Sequence, residues 1–159
     1  MSESNAGSVQ RVRRALLAAG HPDTIVAFPA GTRTAADAAS AVGCEVAQIA
    51  KSIVFRADER AALVITSGAN RVDAALAGTA LGVKLVRADA GWVRNTTGFA
   101  IGGVAPVGHL APPLILLDED LLALDPIWAA AGSPSHVFRT TAAELLRITG
   151  AKSAAVRSG

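Results

Sequence analysis

The apolar positions change period several times along the chain, and each change marks an element. In SVQRVRRALLAAG, Val9, Val12, Leu16 and Leu17 recur at helical spacing with Arg11, Arg13 and Arg14 mostly off the stripe. This predicts a helix from Ser8 to Gly20. TIVAF at 24–28 has the β-branched content of a short strand, and a loop from Pro29 to Arg33 follows. Thr34 and Asp37 form a threonine-x-x-acid start signal, so an alanine-rich helix is expected from there to Gly43. A helical turn through Glu45 to Ala50 then delivers the chain to Lys51 at the entrance of a strand.

SIVFRA and ALVITS are apolar runs separated by Asp58-Glu59-Arg60, the pattern of an antiparallel hairpin. A helix near 71–81 and a short strand KLVR come next. Residues 91–113 then carry five glycines and three prolines with no sustained period. A connection that long is usually functional or disordered, and its apolar content speaks against disorder. LILLDEDLL, IWAAA and HVFRT read as further strands, and Thr141 with Glu144 starts a last helix that ends at Gly150. Strands clustered mid-chain and at the end, with helices irregularly between them, predict a single α+β domain over residues 8–156 behind a flexible N-terminus at 1–7. The expected core is a curved mixed, largely antiparallel sheet or partial barrel surrounded by helices.

Composition narrows the picture. Of 159 residues, 35 are alanine and only six are aromatic, so the core is built from small and aliphatic side chains. Cys44 has no second cysteine to pair with, which excludes a disulfide scaffold. The sequence pI near 9.2 arises from a net charge of only +2, because without tyrosine little titrates above neutrality. The chain is not a polycation built to grip a long duplex, although a local patch could hold one nucleotide end. No apolar run reaches the length of a membrane span, so a cytoplasmic protein with no membrane partner is expected.

Several chemistries fail on spacing. Seven residues separate Gly43 from Lys51, where a phosphate-binding P-loop requires four and a second glycine. No G-x-S-x-G elbow presents a serine nucleophile. His21, His109 and His136 lie too far apart to suggest zinc, and Cys44 reads as a buried thiol. Two features remain. One is Thr97-Gly98-Phe99-Ala100-Ile101-Gly102-Gly103-Val104-Ala105-Pro106-Val107-Gly108-His109, whose glycines let backbone approach a ligand closely while Pro106 stiffens the exit. It is either a cradle of fixed main-chain dipoles or a plain irregular turn. The other is Lys51, either an ammonium aimed into a cavity from an apolar neighbourhood or a snorkelling surface lysine.

The order Thr34-Ala-Ala-Asp37, CEVAQIAKSIVF, Asn95-Thr96-Thr97-Gly98-Phe99, GGVAPVGH, Ala131-Gly132-Ser133 and TAAELLRITGAK resembles the YbaK/EbsC family of aminoacyl-tRNA deacylases, a fold also inserted as the editing domain of bacterial prolyl-tRNA synthetases. The resemblance implies hydrolysis in trans of the ester on misacylated tRNA, usually tRNA for proline, with the tRNA acceptor end as partner and a synthetase as a possible second. It makes Lys51 the family's lysine near the terminal adenosine and its phosphate. Gly102, Gly103 and Pro106 would belong to its G-x-x-x-P loop, which positions ester and water. No protein nucleophile, metal or cofactor is implied. Phe28, Thr32, Thr34, Ser52, Thr97, Gly98, Val104, Ala105, His109, Gly132 and Ser133 are the further candidates for substrate contact. Thr34 could equally be only a helix cap, and His109 only a surface residue. Some members carry an early tyrosine and an acidic residue after Gly-x-Arg-Gly; here Phe28 and Gly132-Ser133-Pro134-Ser135-His136 stand instead, so the amino acid removed stays open. A non-catalytic module for a tRNA end or nucleotide is the alternative from another class, and a hydrolase of small esters a third.

Overall fold

The computed structural model describes residues 2–28 and 34–158, with side chains described from residue 7. The chain runs α1 (Ser2–Ala18), β1 (Ile25–Ala27), α2 (Ala35–Val42), β2 (Ile49–Ala57), β3 (Arg60–Ser67), α3 (Ala74–Leu81), β4 (Val86–Arg87), α4 (Ala90–Thr97), β5 (Leu114–Asp118), β6 (Ile127–Ser133), β7 (His136–Thr140), α5 (Ala142–Thr149) and β8 (Lys152–Ala154). Short 3-10 turns at Val46–Gln48 and Glu119–Ala123 join α2 to β2 and β5 to β6. All eight strands form one open mixed sheet in the order β1-β7-β6-β2-β3-β5-β8, with β4 also on β2. Four of the strand pairs are antiparallel and three parallel, so the sheet is mixed, as expected, and does not close into a barrel.

The core follows the sequence pattern. Seven of the eight residues of β3, Ala61 to Ser67, are almost wholly buried, which is why its apolar run is continuous rather than alternating. One face of the sheet packs Leu63, Ile65 and Leu117 with Val12, Leu16, Phe99, Phe138 and Leu145. The other packs Val64 and Leu116 with Ala77 of α3 and Val156. A small third cluster joins Ala38 and Ala39 of α2 to Ile49.

The helix starts are set by side-chain caps. Thr34 accepts from the Asp37 N–H at 3.1 Å and its own N–H donates back to the Asp37 carboxylate at 3.3 Å, closing a capping box. Thr141 accepts from the Glu144 N–H at 3.1 Å in the same way. The expected hairpin is β2–β3, in register from Ala50↔Ser67 to Ala57↔Arg60, with Asp58 at φ 54 in its two-residue turn.

Other expectations shift. The first helix begins at Ser2, six residues before the expected start, and the Ser8 hydroxyl within it donates to Gly98 O at 3.3 Å. Leu17 leaves the buried stripe and is 55% exposed, since it lies a fifth of a turn or more off the line through Val9, Val12 and Leu16. The irregular stretch 91–113 opens with α4, started by Asp89 accepting from the Trp92 N–H at 2.8 Å and ended by Gly98. KLVR shrinks to Val86–Arg87, and LILLDEDLL is strand only to Asp118, whose carboxylate turns the chain by accepting from the Asp120 N–H. β2 starts at Ile49, because Ile49 and Ala50 pair with Trp128 and Ala129 of β6; Lys51 is thus inside the strand. Cys44 is half-buried rather than buried. Among the described residues no helix is long and apolar enough to cross a membrane.

Candidate functional site

β2 has β3 along one edge and divides the other between two neighbours. β6 pairs only with Ile49 and Ala50, and β4 only with Phe55 and Arg56. β6 then veers away through a bulge between Ala130 and Ser133. The Gly68 N–H donates to Ile49 O at 2.6 Å, which fixes the antiparallel parity: Ile49, Lys51 and Ile53 point their peptide groups at β3, while Ser52 turns its N–H and C=O toward the gap that β6 has left. A cavity of about 290 Å³ fills this opening.

Lys51, Ser52, Gly102, Val104, Ser133 and Thr34 all line this cavity, together with Ile101, Trp128 and His136. Lys51 is half-buried, and its ammonium makes no hydrogen bond or ion pair among the described residues. The Ser52 hydroxyl is buried with no partner. An uncompensated polar group of that kind costs free energy unless a ligand or water supplies the missing bond. Thr34 reaches the wall while also serving as the cap of α2.

The glycine loop reaches the cavity because it is clamped from behind. Arg11 donates to Gly108 O at 2.6 Å and to Gly98 O at 2.9 Å, and its guanidinium lies 4.7 Å from the centre of the Phe99 ring. Gly102 has φ +93, a conformation L side chains rarely adopt. Gly103 rests against the backbone of Ser133, where a Cβ would come within 2.7 Å of its Cα. Only glycine lets these two segments touch.

Ser133 and His136 close the far wall at the tip of the β6–β7 hairpin. The Ser133 Oγ and His136 Nδ1 are 2.6 Å apart, and the Ser135 N–H donates to the same Oγ at 3.1 Å. Burial, and then the positive charge of Arg13, hold the His136 imidazole below its ordinary pKa, which favours its neutral form. Among the described residues the wall therefore offers the Lys51 cation, the His136 imidazole, the hydroxyls of Thr34, Ser52 and Ser133 and several main-chain dipoles, with no carboxylate. No group of three or more His, Cys, Asp or Glu that could hold a metal ion occurs among the described residues.

The remaining candidates stand behind the wall. Thr97 is fully buried; its hydroxyl donates to Val93 O at 2.7 Å and accepts from the Phe99 N–H at 3.1 Å, closing α4. Gly98 presents its carbonyl to Arg11, and Ala105 and Pro106 are buried. His109 is no surface residue: its Nε2–H donates to Ala105 O at 2.6 Å, its ring meets Phe99 edge-on at 5.1 Å, and Nδ1 is buried without a partner. Burial first, and the charge of Arg11 next, push its pKa down against the pull of the Ala105 carbonyl. Gly132 abuts Ser8 of α1, and the Phe28 N–H donates to Ser135 O at 2.9 Å beside the hairpin tip. Thr32 lies outside the described residues.

The sequence reading missed His136, Trp128 and Arg11. His136 could have been suspected from its place three residues after Ser133 across a Pro-Ser turn. Arg11 carried no signal, because its partners are carbonyls about ninety residues away.

With this geometry in hand, comparison with known proteins is specific. A family model described as an aminoacyl-tRNA editing domain matches residues 29–148. A solved structure described as a candidate trans-editing enzyme for prolyl tRNA synthetase is 48% identical, with a TM-score of 0.90, over 96% of this chain and 98% of that one. A second, the hypothetical protein APE2540, is 25% identical at a TM-score of 0.85, over 93% of this chain and 99% of that one. The uncharacterized protein YwhH of Bacillus subtilis is 27% identical over 139 residues, 87% of this chain and 88% of its own length.

Proposed function

Because the chain belongs to the aminoacyl-tRNA editing domain family and is an aminoacyl-tRNA deacylase, we propose that it acts in trans on mischarged tRNA for proline, with the cavity at the β2 gap as its active site. The observation that carries the site assignment is the meeting of Lys51, Ser52 and the Gly102 loop around one space. The resemblance to a candidate trans-editing enzyme for prolyl tRNA synthetase, along 98% of that chain, supports the choice of tRNA and association with that synthetase.

An aminoacyl ester is already activated toward water, so the catalyst has to position it and stabilise the charge that develops on its carbonyl oxygen. Lys51 holds the phosphate of the terminal adenosine. The main-chain groups of Gly102 and Val104, the Ser52 N–H and the Ser52 hydroxyl surround the ester. Water adds to the carbonyl carbon, the oxyanion takes hydrogen bonds from these donors, and the ribose oxygen leaves with the proton the water gave up. One such donor is worth about 3 to 4 kcal/mol in other enzymes, so two or three suffice without a side-chain nucleophile.

A panel of tRNA for proline carrying alanine, cysteine or serine tests the reading. At least one ester is released well above the buffer rate, and Lys51→Ala lowers that rate more than tenfold without changing the unfolding midpoint. Tight binding of uncharged tRNA with no turnover of any ester would instead establish a binding module.

A further inference from the structure

Lys51, Ile53 and Phe55 are alternate residues of β2 and so share one face of the sheet. With Asn70, Arg71 and Val72 they line a second cleft of about 420 Å³. Lys51 and Ile53 also line the candidate active site, so the two spaces meet along this stretch of strand. Asn70 is already engaged, its amide donating to Asp118 and Asp120 at 2.8 Å each. The exposed Arg71 side chain, like that of Lys51, makes no ion pair or hydrogen bond among the described residues. Phe55 is half-buried against the Val64 and Leu116 cluster, and with Ile53 and Val72 gives the cleft an apolar wall.

An aromatic ring and two cations without ion pairs lining one cleft are the combination that binds single-stranded nucleic acid: the ring takes a base and the cations take phosphates. The shared position of Lys51 sets the order of the chain. A cation on the border between two cavities is placed to meet the link joining their occupants. We propose that this cleft holds the nucleotide immediately 5′ of the terminal adenosine, its base against Phe55 and its own 5′ phosphate at Arg71, with Lys51 on the phosphodiester between the two nucleosides. The inference rests on the reading that the terminal adenosine occupies the cavity at the β2 gap. It makes the site selective for a single-stranded 3′ end, since a base held in duplex could not reach the ring.

Calorimetric titration of the whole protein with the dinucleotide CpA and with 5′-AMP tests this without any ester chemistry. The wild type binds CpA about tenfold more tightly than 5′-AMP. That ratio falls to near one in Phe55→Leu and in Arg71→Ala, and the salt slope for CpA shrinks by about 0.7 in Arg71→Ala. A wild-type ratio near one, or a ratio that survives in both variants, overturns the subsite and leaves the deacylase site standing. Absence of binding by either nucleotide at millimolar concentration removes the adenosine reading together with this one.

Discussion

Replacing Gly103 by alanine puts the contact between the glycine loop and the hairpin tip under direct strain. The added Cβ would stand 2.7, 2.9 and 3.0 Å from the Cα, C and N of Ser133. These are backbone atoms of β6, held by pairing with His136, so no rotamer change relieves the clash. Restoring an ordinary contact of 3.4 Å requires loop and tip to part by about 0.7 Å. Overpacking of this kind costs about 1 to 3 kcal/mol. The same displacement acts on catalysis, because Gly102 and Ser133 line the cavity from the two parting segments. A misplacement approaching 1 Å lowers rates by up to about a hundredfold, so a loss of roughly ten- to a hundredfold is expected. Urea unfolding measures the first effect and single-turnover hydrolysis of mischarged tRNA the second. Gly7→Ala is the control: nothing lies within 4 Å of its Cβ, and neither rate nor fold should suffer. A Gly103→Ala protein with the wild-type urea midpoint and a rate within twofold would show that the two segments do not depend on this contact.

Arg11→Met keeps much of the side-chain volume but removes both hydrogen bonds to the loop carbonyls and the cation over Phe99; a loss of about 2 kcal/mol is expected in urea unfolding, with a weaker kcat, since the loop is released from α1. His109 gives a pH dependence. Its folded pKa lies below the ordinary 6.5, so its contribution to stability is complete above that value and is lost as the pH falls through the lower folded pKa. Below pH 6.5 the wild type should therefore lose stability relative to His109→Gln by up to about 1.4 kcal/mol per pH unit; parallel curves for the two proteins would exclude this. Asp118→Ala strips the acceptor from the Thr66 hydroxyl, the Asn70 amide and the Ser67 and Asp120 N–H groups. About 3 kcal/mol or more should disappear, read as a fall in Tm.

The parts legible in the sequence were those governed by neighbours in the chain. Thr34 with Asp37 and Thr141 with Glu144 cap helices because each pair is three residues apart, and the β2–β3 hairpin follows from two apolar runs around a two-residue turn. What escaped was set at long range. β8 is three residues whose strand character comes from pairing with Leu116 to Asp118. α4 hides in a stretch with Gly91, Asn95, Thr96 and Thr97, poor helix formers held by the Asp89 cap and by packing of Val93 into the core. At the site, Lys51 and the glycine loop stood out by residue type. The partners that turn them into a cavity wall, Ser133 with His136 and the Arg11 clamp, did not.

The same division explains why a sheet of mixed direction suits this chemistry. A main-chain donor can serve a substrate only where a strand lacks a neighbour, and an exposed strand edge invites pairing with another chain. Here the open edge of β2 spans only Lys51 to Val54, closed at one end by the parallel partner β6 and at the other by the antiparallel β4. Four residues are too few to template a second molecule, yet they suffice to present the Ser52 N–H and C=O beside a buried hydroxyl with no partner. Neighbours arriving from opposite directions are what keep the opening this short. The glycine loop then covers it at a distance fixed by the bare Cα of Gly103, so the polar groups that the sheet leaves unpaired face a confined space rather than bulk water.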